Sequence, residues 1–372
     1  MRRLSRAHIP SLHAVFALVS LIAIASVLSA CGSTGGTSKA PTPLSTAAPP
    51  ARAIHEYALP AADMMPGSIT TGADGALWFT EMRGADMTGK IGRVTTSGSF
   101  KEYALPRPGL YAMDIARGAD GNVWFLESSV STFGGVGRIT PTGAVVEYPL
   151  ASGVIPMSLT AGPDGALWFT TAEGGAQVGK IGRISTSGDV TFYRPTDHNF
   201  LPRAIILGPD SALWFTEMVT AGVSQGKIGR ITTSGVITEY PLPSAGYPEA
   251  SAITTGPDKA IWYVEASGAK GSFDKFVRMT TAGNATEFAS SIPAGTPVGC
   301  MISGPDGALW YGGSSLGRIT TSGQISQMAL STEGNAVFDI TTGPDGKLWF
   351  TEGYGSGPSG PSGVNGKIST LS

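Results

Sequence analysis

The stretch GPDGALWFT at residues 162–170 decides the fold, because close copies of it recur along the chain. Its tryptophan has six counterparts, and successive tryptophans are 39 to 48 residues apart. The seven are Trp78, Trp124, Trp168, Trp214, Trp262, Trp310 and Trp349. A repeat of this length is typical of one propeller blade with four short strands. The sequence therefore predicts an all-β fold, a seven-bladed β-propeller of four-stranded antiparallel blades.

The first repeat shows how each blade is expected to form. Its four strands are predicted at residues 68–71, 76–81, 90–94 and 100–105. Asp-Gly and Ser-Gly pairs stand between them, and these pairs supply the backbone freedom that tight hairpins need. The 52 glycines among 372 residues agree with a chain rich in turns.

The two ends of the repeat region indicate how the ring closes. The seventh repeat has strands predicted at 348–352 and 367–370, but no fourth strand after them. The segment Ile54–Pro60 matches the fourth strands of other repeats, such as Phe100–Pro106. We therefore expect residues 54–59 to complete the last blade, which leaves no long open sheet edge.

The N-terminal residues resemble a lipoprotein signal. Three arginines within the first six residues precede an apolar run at 14–28, which is too short for a comfortable membrane span. The run ends in Leu-Ser-Ala-Cys at 28–31, which resembles a bacterial lipobox. Residues 1–30 are thus predicted to be a signal peptide, and Cys31 the lipidation site. An ordinary signal peptide with an incidental cysteine is the alternative.

The remaining organisation follows from this signal. Residues 31–52 are expected to form a disordered tether rich in Ser, Thr and Pro, and residues 53–372 the propeller. The protein is then expected on the bacterial cell envelope, anchored to the extracytoplasmic side of a membrane through its lipid only. With Cys31 acylated, Cys300 has no disulfide partner, and its apolar-periodic strand suggests a small core residue.

Charge narrows the classes of partner. The formal net charge is −2, and the sequence gives no sign of the basic face that a nucleic-acid partner would need.

The chain is expected to be a monomer that binds a small-molecule or protein ligand on one face of the ring. At that face the loops before the inner strands meet the loops after the tryptophan strands. The second set varies most in length, and variable loops on a rigid scaffold usually carry function.

Several side chains on this loop face are candidates for ligand binding. A ring of carboxylates with apolar neighbours could bind a cation or a polar ligand. The candidates are Tyr111, Asp114, Arg203, Glu217, Tyr247, Glu265, Asp339 and Glu352, with Glu81, Glu127, Met64, Met65, Met113, Met157, Phe200 and Phe338 around them. Because the glutamates recur with the repeat, they are interpreted instead as strand-end residues paired with nearby Lys or Arg. Asp114, Arg203 and Asp339 break the repeat and are better candidates.

Three other charged series are interpreted as structural. An aspartate stands four residues before each tryptophan. Turn geometry alone explains it, so these aspartates are not interpreted as metal ligands. Arginines on the third strands and glutamates on the fourth strands are expected to pair across strands. The arginines are Arg93, Arg138, Arg183, Arg230, Arg278 and Arg318, and the glutamates are Glu102, Glu147, Glu239 and Glu287.

The repeated strings GPDGALWFT, GKIGRITTSG and ITEYPLP closely resemble those of the streptogramin B lyase family, of which virginiamycin B lyase is the named member. The resemblance covers about residues 53–372. It implies a seven-bladed propeller that opens a cyclic depsipeptide by eliminating its ester, with Mg²⁺. It also implies a histidine base and a histidine partner, each eleven residues before a blade tryptophan, with a glutamate nearby.

This chain departs from the family at those histidine positions. They hold Gly67, Met113, Met157, Arg203, Ser251, Gly299 and Phe338. After the signal peptide only His55 and His198 remain as histidines, and Glu249, thirteen residues before Trp262, is the candidate for the family glutamate. His198 and Glu249 are therefore only weak catalytic candidates, no residue is a firm one, and a metal site is unknown. Mg²⁺ is expected only if the family activity is retained.

Two functional hypotheses stay open. The first is a non-catalytic module that binds a ligand or a protein at the cell envelope. The second is an enzyme, either a diverged lyase acting on a cyclic depsipeptide or another carboxylate- or metal-dependent enzyme. Converging carboxylates with a metal would favour the enzyme, and a broad apolar face would favour binding. A fold alone does not decide between them.

Overall fold

The computed structural model describes residues 52–61, 63–83, 88–129, 134–173, 176–194, 200–219, 225–244, 249–266, 273–293, 298–354 and 366–372. Within these ranges the chain forms 28 β-strands in seven four-stranded antiparallel sheets. The predicted seven-bladed propeller is confirmed. Among the same residues, no helix is long and apolar enough to cross a membrane.

Each blade runs from an inner strand at the central channel to an outer edge strand, in chain order except in the last blade, whose outer strand comes from the start of the repeat region. The first four blades are β2 Met64–Thr71, β3 Leu77–Arg83, β4 Gly89–Val94 and β5 Phe100–Ala104; β6 Leu110–Arg117, β7 Val123–Ser129, β8 Gly134–Ile139 and β9 Val145–Pro149; β10 Val154–Ala161, β11 Leu167–Glu173, β12 Ala176–Ile184 and β13 Val190–Tyr193; β14 Phe200–Leu207, β15 Leu213–Val219, β16 Lys227–Ile231 and β17 Ile237–Pro241.

The last three blades include the one that joins the two ends of the propeller. They are β18 Glu249–Thr255, β19 Ile261–Ala266, β20 Phe273–Met279 and β21 Ala285–Pro293; β22 Cys300–Ser303, β23 Leu309–Gly312, β24 Leu316–Ile319 and β25 Ile325–Met328; β26 Asn335–Thr342, β27 Leu348–Tyr354, β28 Lys367–Leu371 and β1 Ile54–Ala58. Strand β1 lies antiparallel beside β28, with Ile54 opposite Leu371 and Ala58 opposite Lys367.

Each buried tryptophan is held by its own blade's turn aspartate. In the third blade the indole Nε1 of Trp168 donates to Asp164 Oδ1 at 3.1 Å, and Arg183 Nε donates to Asp164 Oδ2 at 2.7 Å. The same arrangement recurs in the first, fourth, fifth and sixth blades. The expected pairing of the third-strand arginines with fourth-strand glutamates is therefore wrong. Those arginines reach the turn aspartates instead, because the indole already holds the aspartate within reach.

Three of the four fourth-strand glutamates pair with lysines, and Glu147 pairs with Arg107 Nε at 3.1 Å. Lys227 Nζ lies 2.9 Å from Glu239 Oε2, and Lys275 Nζ lies 2.9 Å from Glu287 Oε2. In the closing blade Lys367 Nζ makes the same contact with Glu56 at 2.7 Å. Such partly exposed pairs contribute little individually, about 0–1 kcal/mol each.

The repeated glutamates at the ends of the second strands are not on the surface. Glu81, Glu127, Glu217 and Glu352 are 0% exposed, and Glu265 is 3% exposed. Both carboxyl oxygens of Glu127 lack a hydrogen-bond partner, and Gly135 stands opposite it where Glu81 faces Lys90. Burial raises the pKa of Glu127 to about 8, with a further increase from Glu147 and an opposing effect from Arg107.

We predict that Glu127→Gln stabilises the protein at alkaline pH. Because the folded-state pKa of Glu127 lies above its ordinary value of 4.5, wild-type stability falls as the pH rises from 4.5 towards 8. The amide carries no charge, so the variant avoids this loss. We expect about 2–4 kcal/mol more stability than wild type at pH 9 and a difference near zero at pH 4. Urea unfolding at both pH values measures this difference.

Glu265→Gln is the matched control, since it occupies the same position in the fifth blade. There the carboxylate accepts hydrogen bonds from the Ser244 amide at 3.3 Å and from the Ser244 hydroxyl at 2.6 Å. Losing a charged acceptor costs about 1–3 kcal/mol, so this variant is expected to destabilise. An equal response of both variants at pH 9 would contradict the interpretation.

Candidate functional site

A cavity of about 680 Å³ lies in the central channel, and the inner strands of all seven blades line it. Its wall includes the apolar side chains that the loop face was expected to hold. Met65, Tyr111, Met113 and Phe338 all line the cavity, together with Met301. Met64 is instead fully buried in the core, because alternate residues of an inner strand point away from the channel.

β-Bulges aim the side chains that break the repeat. In six of the inner strands the pairing with the second strand shifts register, for example between Ala112 and Ile115 and between Val337 and Asp339. Asp114 and Asp339 lie at these bulges, as does Arg203 in the fourth blade. A bulge bends its strand and redirects a side chain, which is why bulges occur next to sites.

Second-strand threonines fix the bulges. The amide of Asp339 donates to Thr351 Oγ1 at 3.0 Å, and the Thr351 hydroxyl donates to the Gly67 carbonyl of the next blade at 2.6 Å. Thr170 likewise accepts from the Ser158 amide at 3.2 Å and donates to the Arg203 carbonyl. Each of these buried hydroxyls thus joins a bulge to the neighbouring blade.

Asp114 and Asp339 converge through Ser68, which lies on the inner strand between theirs. The Ser68 hydroxyl lies 2.8 Å from Asp114 Oδ1 and 2.6 Å from Asp339 Oδ2. Asp339 also accepts from the Ile69 amide at 2.8 Å, and Asp114 accepts from the Leu159 amide at 2.7 Å. The two carboxylates therefore also fasten neighbouring blades to each other.

The surroundings of this pair favour its neutral form. Burial raises the pKa of Asp339 to about 6; the Ser68 hydrogen bond opposes this effect and the charge of Asp114 adds to it. Burial also raises the pKa of Asp114, against hydrogen bonds from the Leu159 amide and Ser68. The pair therefore titrates closer to neutrality than ordinary aspartates do.

Arg203 and Glu249 interact electrostatically at the start of the fourth and fifth inner strands. Burial lowers the pKa of Arg203 and raises that of Glu249, and in each case the charge of the other residue opposes the shift. The Arg203 guanidinium also contacts Met218 Sδ at 3.4 Å. Neither residue lines the cavity described above.

The other predicted residues are placed as follows. Glu217, Glu265 and Glu352 are buried between strands and do not line the cavity, whereas Glu81 does. His55 is exposed on the outer strand β1. Cys300 is not a simple core residue: it is half-buried and lines the cavity, because its strand is an inner one. Cys31, His198 and Tyr247 lie outside the described residues.

Ser68 was missed by the sequence reasoning, which followed the position eleven residues before each tryptophan. The position ten residues before it holds Ser68, Asp114 and Asp339, and a comparison of the seven repeats at that position would have found them together.

The described residues do not form a complete magnesium site. Among the described residues, no group of three or more His, Cys, Asp or Glu side chains could hold a metal ion. Asp114 and Asp339 converge as two carboxyls only, and hydrogen bonds from Ser68 and from backbone amides hold them in place without a metal ion.

Comparison with known proteins agrees with this architecture. The sequence profile of the virginiamycin B lyase family matches residues 50–181 and 130–371. The chain belongs to the virginiamycin B lyase family. A streptogramin B lyase structure is 30% identical, with a TM-score of 0.68, and the match covers 86% of this chain and 97% of that one.

A second family structure is that of a catalytically inactive histidine-to-alanine variant of virginiamycin B lyase from Staphylococcus aureus with quinupristin. It is 30% identical, with a TM-score of 0.69, and the match covers 87% of this chain and 99% of that one. Hydrazine synthase from Kuenenia stuttgartiensis shares the fold at 14% identity and a TM-score of 0.61, over 81% of this chain and 94% of that one. A search of curated proteins found no significant match.

We predict that Asp114→Asn lowers the pKa of Asp339. The charge of Asp114 is one cause of the raised pKa of Asp339, and the amide removes that charge. Carbon-13 NMR of labelled aspartate carboxyls across pH 3–9 measures the midpoint. Asp189→Asn, at an exposed turn, is the control and should leave the midpoint unchanged. An Asp339 midpoint that does not move in Asp114→Asn would show that the two carboxyls are not coupled.

Proposed function

We propose that this family member is a binding module on the bacterial cell envelope and that its central cavity takes an amphipathic small molecule. The observation that supports this most strongly is the cavity wall, which combines Met65, Tyr111 and Phe338 with two carboxyls held at bulges. Small-molecule sites in proteins are usually apolar clefts of about 300–1,000 Å³ with a few placed polar groups.

The departures from the lyase pattern favour binding over catalysis. Ester elimination needs a base positioned against the substrate, and such acid–base groups contribute about 10²–10⁴-fold to a rate. None of the seven positions eleven residues before a tryptophan holds histidine. Arg203 occupies one of them, and a guanidinium stays protonated at any physiological pH.

A diverged lyase or another carboxylate-dependent enzyme is the second candidate, and one observation favours it. The raised pKa of Asp339, about 6, would suit a general base in the cavity that Asp339 lines. In that reading Asp339 would take over the role of the missing histidine.

We predict that the purified protein binds a type B streptogramin such as quinupristin without linearising it at a useful rate. Calorimetry measures binding, and chromatography of the intact ring in the presence of Mg²⁺ measures turnover. The absence of both binding and turnover would contradict the proposed ligand class.

Variants separate the outcomes if the ring does open. Activity lost on chelation and in His198→Ala would identify a lyase with a relocated base. Activity that survives His198→Ala but is lost in Asp339→Asn would identify the carboxylate enzyme instead. Either result would overturn the binding proposal.

Anchoring on the envelope is a proposal that rests on the Leu-Ser-Ala-Cys stretch at 28–31 behind an apolar run. We predict that the expressed protein incorporates a fatty-acid probe and that a Cys31→Ser variant does not. Cys300→Ser is the matched control, since it removes the other cysteine and should keep the label. Equal labelling of wild type and Cys31→Ser would reject lipidation.

A further inference from the structure

One ring of side chains in the cavity is divided into a polar arc and an apolar arc. The ring consists of the residues ten positions before each tryptophan, one from each blade, and all of them line the cavity. In spatial order the polar arc is Cys300, Asp339, Ser68, Asp114 and Ser158, and Ala204 and Ala252 complete the circle. The polar side chains are half-buried, so the cavity gives access to them.

When Asp114 and Asp339 are both ionised, the two contacts that Ser68 makes with them share a single hydrogen atom. Ser68 has a single hydroxyl hydrogen, but its oxygen lies within hydrogen-bond distance of both Asp114 and Asp339. The hydroxyl donates to one carboxylate. The second contact becomes a full two-centre hydrogen bond when the other carboxyl is protonated and donates to the serine oxygen. The geometry therefore fits a pair with one negative charge.

An organic ammonium group carries the donors that could replace this proton. Its N–H groups would donate to the carboxylate oxygens, and charge-assisted hydrogen bonds of this kind are stronger than neutral ones. An apolar body attached to the ammonium would contact Met113, Met301 and Phe338 on the surrounding wall.

We propose that the polar arc binds the ammonium end of an amphipathic organic cation and releases a proton from the Asp339–Ser68–Asp114 cluster as it does so. The proposal rests on the proposed function and names the ligand class of the same cavity. The released proton goes to the solvent buffer, and no covalent bond to the ligand forms or breaks.

The other ionisable groups around the channel do not supply this proton near pH 6. Glu81 lines the cavity, but burial raises its pKa to about 8, so it stays protonated there. The Cys300 thiol is next to Asp339, and burial together with the Asp339 charge raises its pKa, so it stays neutral. Across the channel, Arg203 and Glu249 form their own electrostatic pair. The raised pKa of Asp339, about 6, places the release in the range that the following experiment covers.

Three probes of similar size test the proposal by calorimetry with wild-type protein: phenethylammonium, neutral phenethyl alcohol and anionic 3-phenylpropionate. At pH 8 we expect phenethylammonium to bind at least about tenfold more tightly than the alcohol, and 3-phenylpropionate to bind most weakly. At pH 5 the advantage of the cation should shrink several-fold, because it must then compete with the proton. The alcohol should show no pH dependence.

Proton release is measured by repeating the titrations in buffers with different ionisation enthalpies. Near pH 6 phenethylammonium should release roughly half a proton per bound molecule, and at pH 8 almost none. Asp339→Asn and Asp114→Asn should each remove most of the cation preference and the release. Asp189→Asn should retain both, and circular dichroism checks that each variant folds.

The outcomes are separable from those of the proposed function. Equal affinity for the ammonium and the alcohol would overturn the cation site and leave ligand binding by the channel intact. Binding of the cation without proton release near pH 6 would overturn the shared-proton cluster. If no probe binds, the cation site is rejected, while the streptogramin titration still decides the proposed function. Should both variants fail to fold, the wild-type charge and pH comparisons decide the proposal alone.

Discussion

The fold depends on the way one buried tryptophan is held in each blade. Its indole nitrogen donates to the turn aspartate, and in most blades one ring face stacks on a fourth-strand aromatic, as in Trp168 with Tyr193 at 5.4 Å between centroids. That tyrosine also covers the turn glycine of the next blade, where a Cβ at Gly235 would come within 2.4 Å of its ring. The same contacts therefore order a blade internally and attach it to its neighbour.

The sixth blade shows how much this arrangement matters, because its outer strand has no aromatic residue. There Arg52, from the segment before β1, lies 5.0 Å from the Trp310 ring centroid and donates to Asp306 at 3.1 Å. In the closing blade Tyr57 of β1 stacks on Trp349 at 5.6 Å. The N-terminal segment thus takes part in two adjacent blades.

Sequence predicted the scaffold well for a physical reason that does not extend to the site. Gly162, Asp164 and Trp168 have counterparts in all seven blades that make the same contacts. The periodicity of the sequence alone therefore reveals their role. The bulges that aim Asp114 and Asp339 are a matter of register, and register is not visible in a single repeat. Ser68 carries no signal by itself and acquires its role only between two neighbouring strands. The third-strand arginines were expected to pair with fourth-strand glutamates, because only the distance across neighbouring strands was considered. The buried tryptophan indole holds the turn aspartate within reach of the arginine, and the arginine pairs with that aspartate.

The positions where the family resemblance implies histidines and the positions that form the polar arc of the cavity are adjacent on the same inner strands. Eleven residues before the tryptophans, where the resemblance implies histidines, the chain has apolar residues, glycine, serine or arginine. One residue later it has an arc of polar side chains whose carboxylates also accept amides from the neighbouring blades. Because those amides restrain the carboxylates, a ligand that meets them encounters fixed acceptors and pays little for their ordering. A cavity lined by this polar arc would suit selective binding, because the carboxylates that would contact a ligand also hold neighbouring blades together.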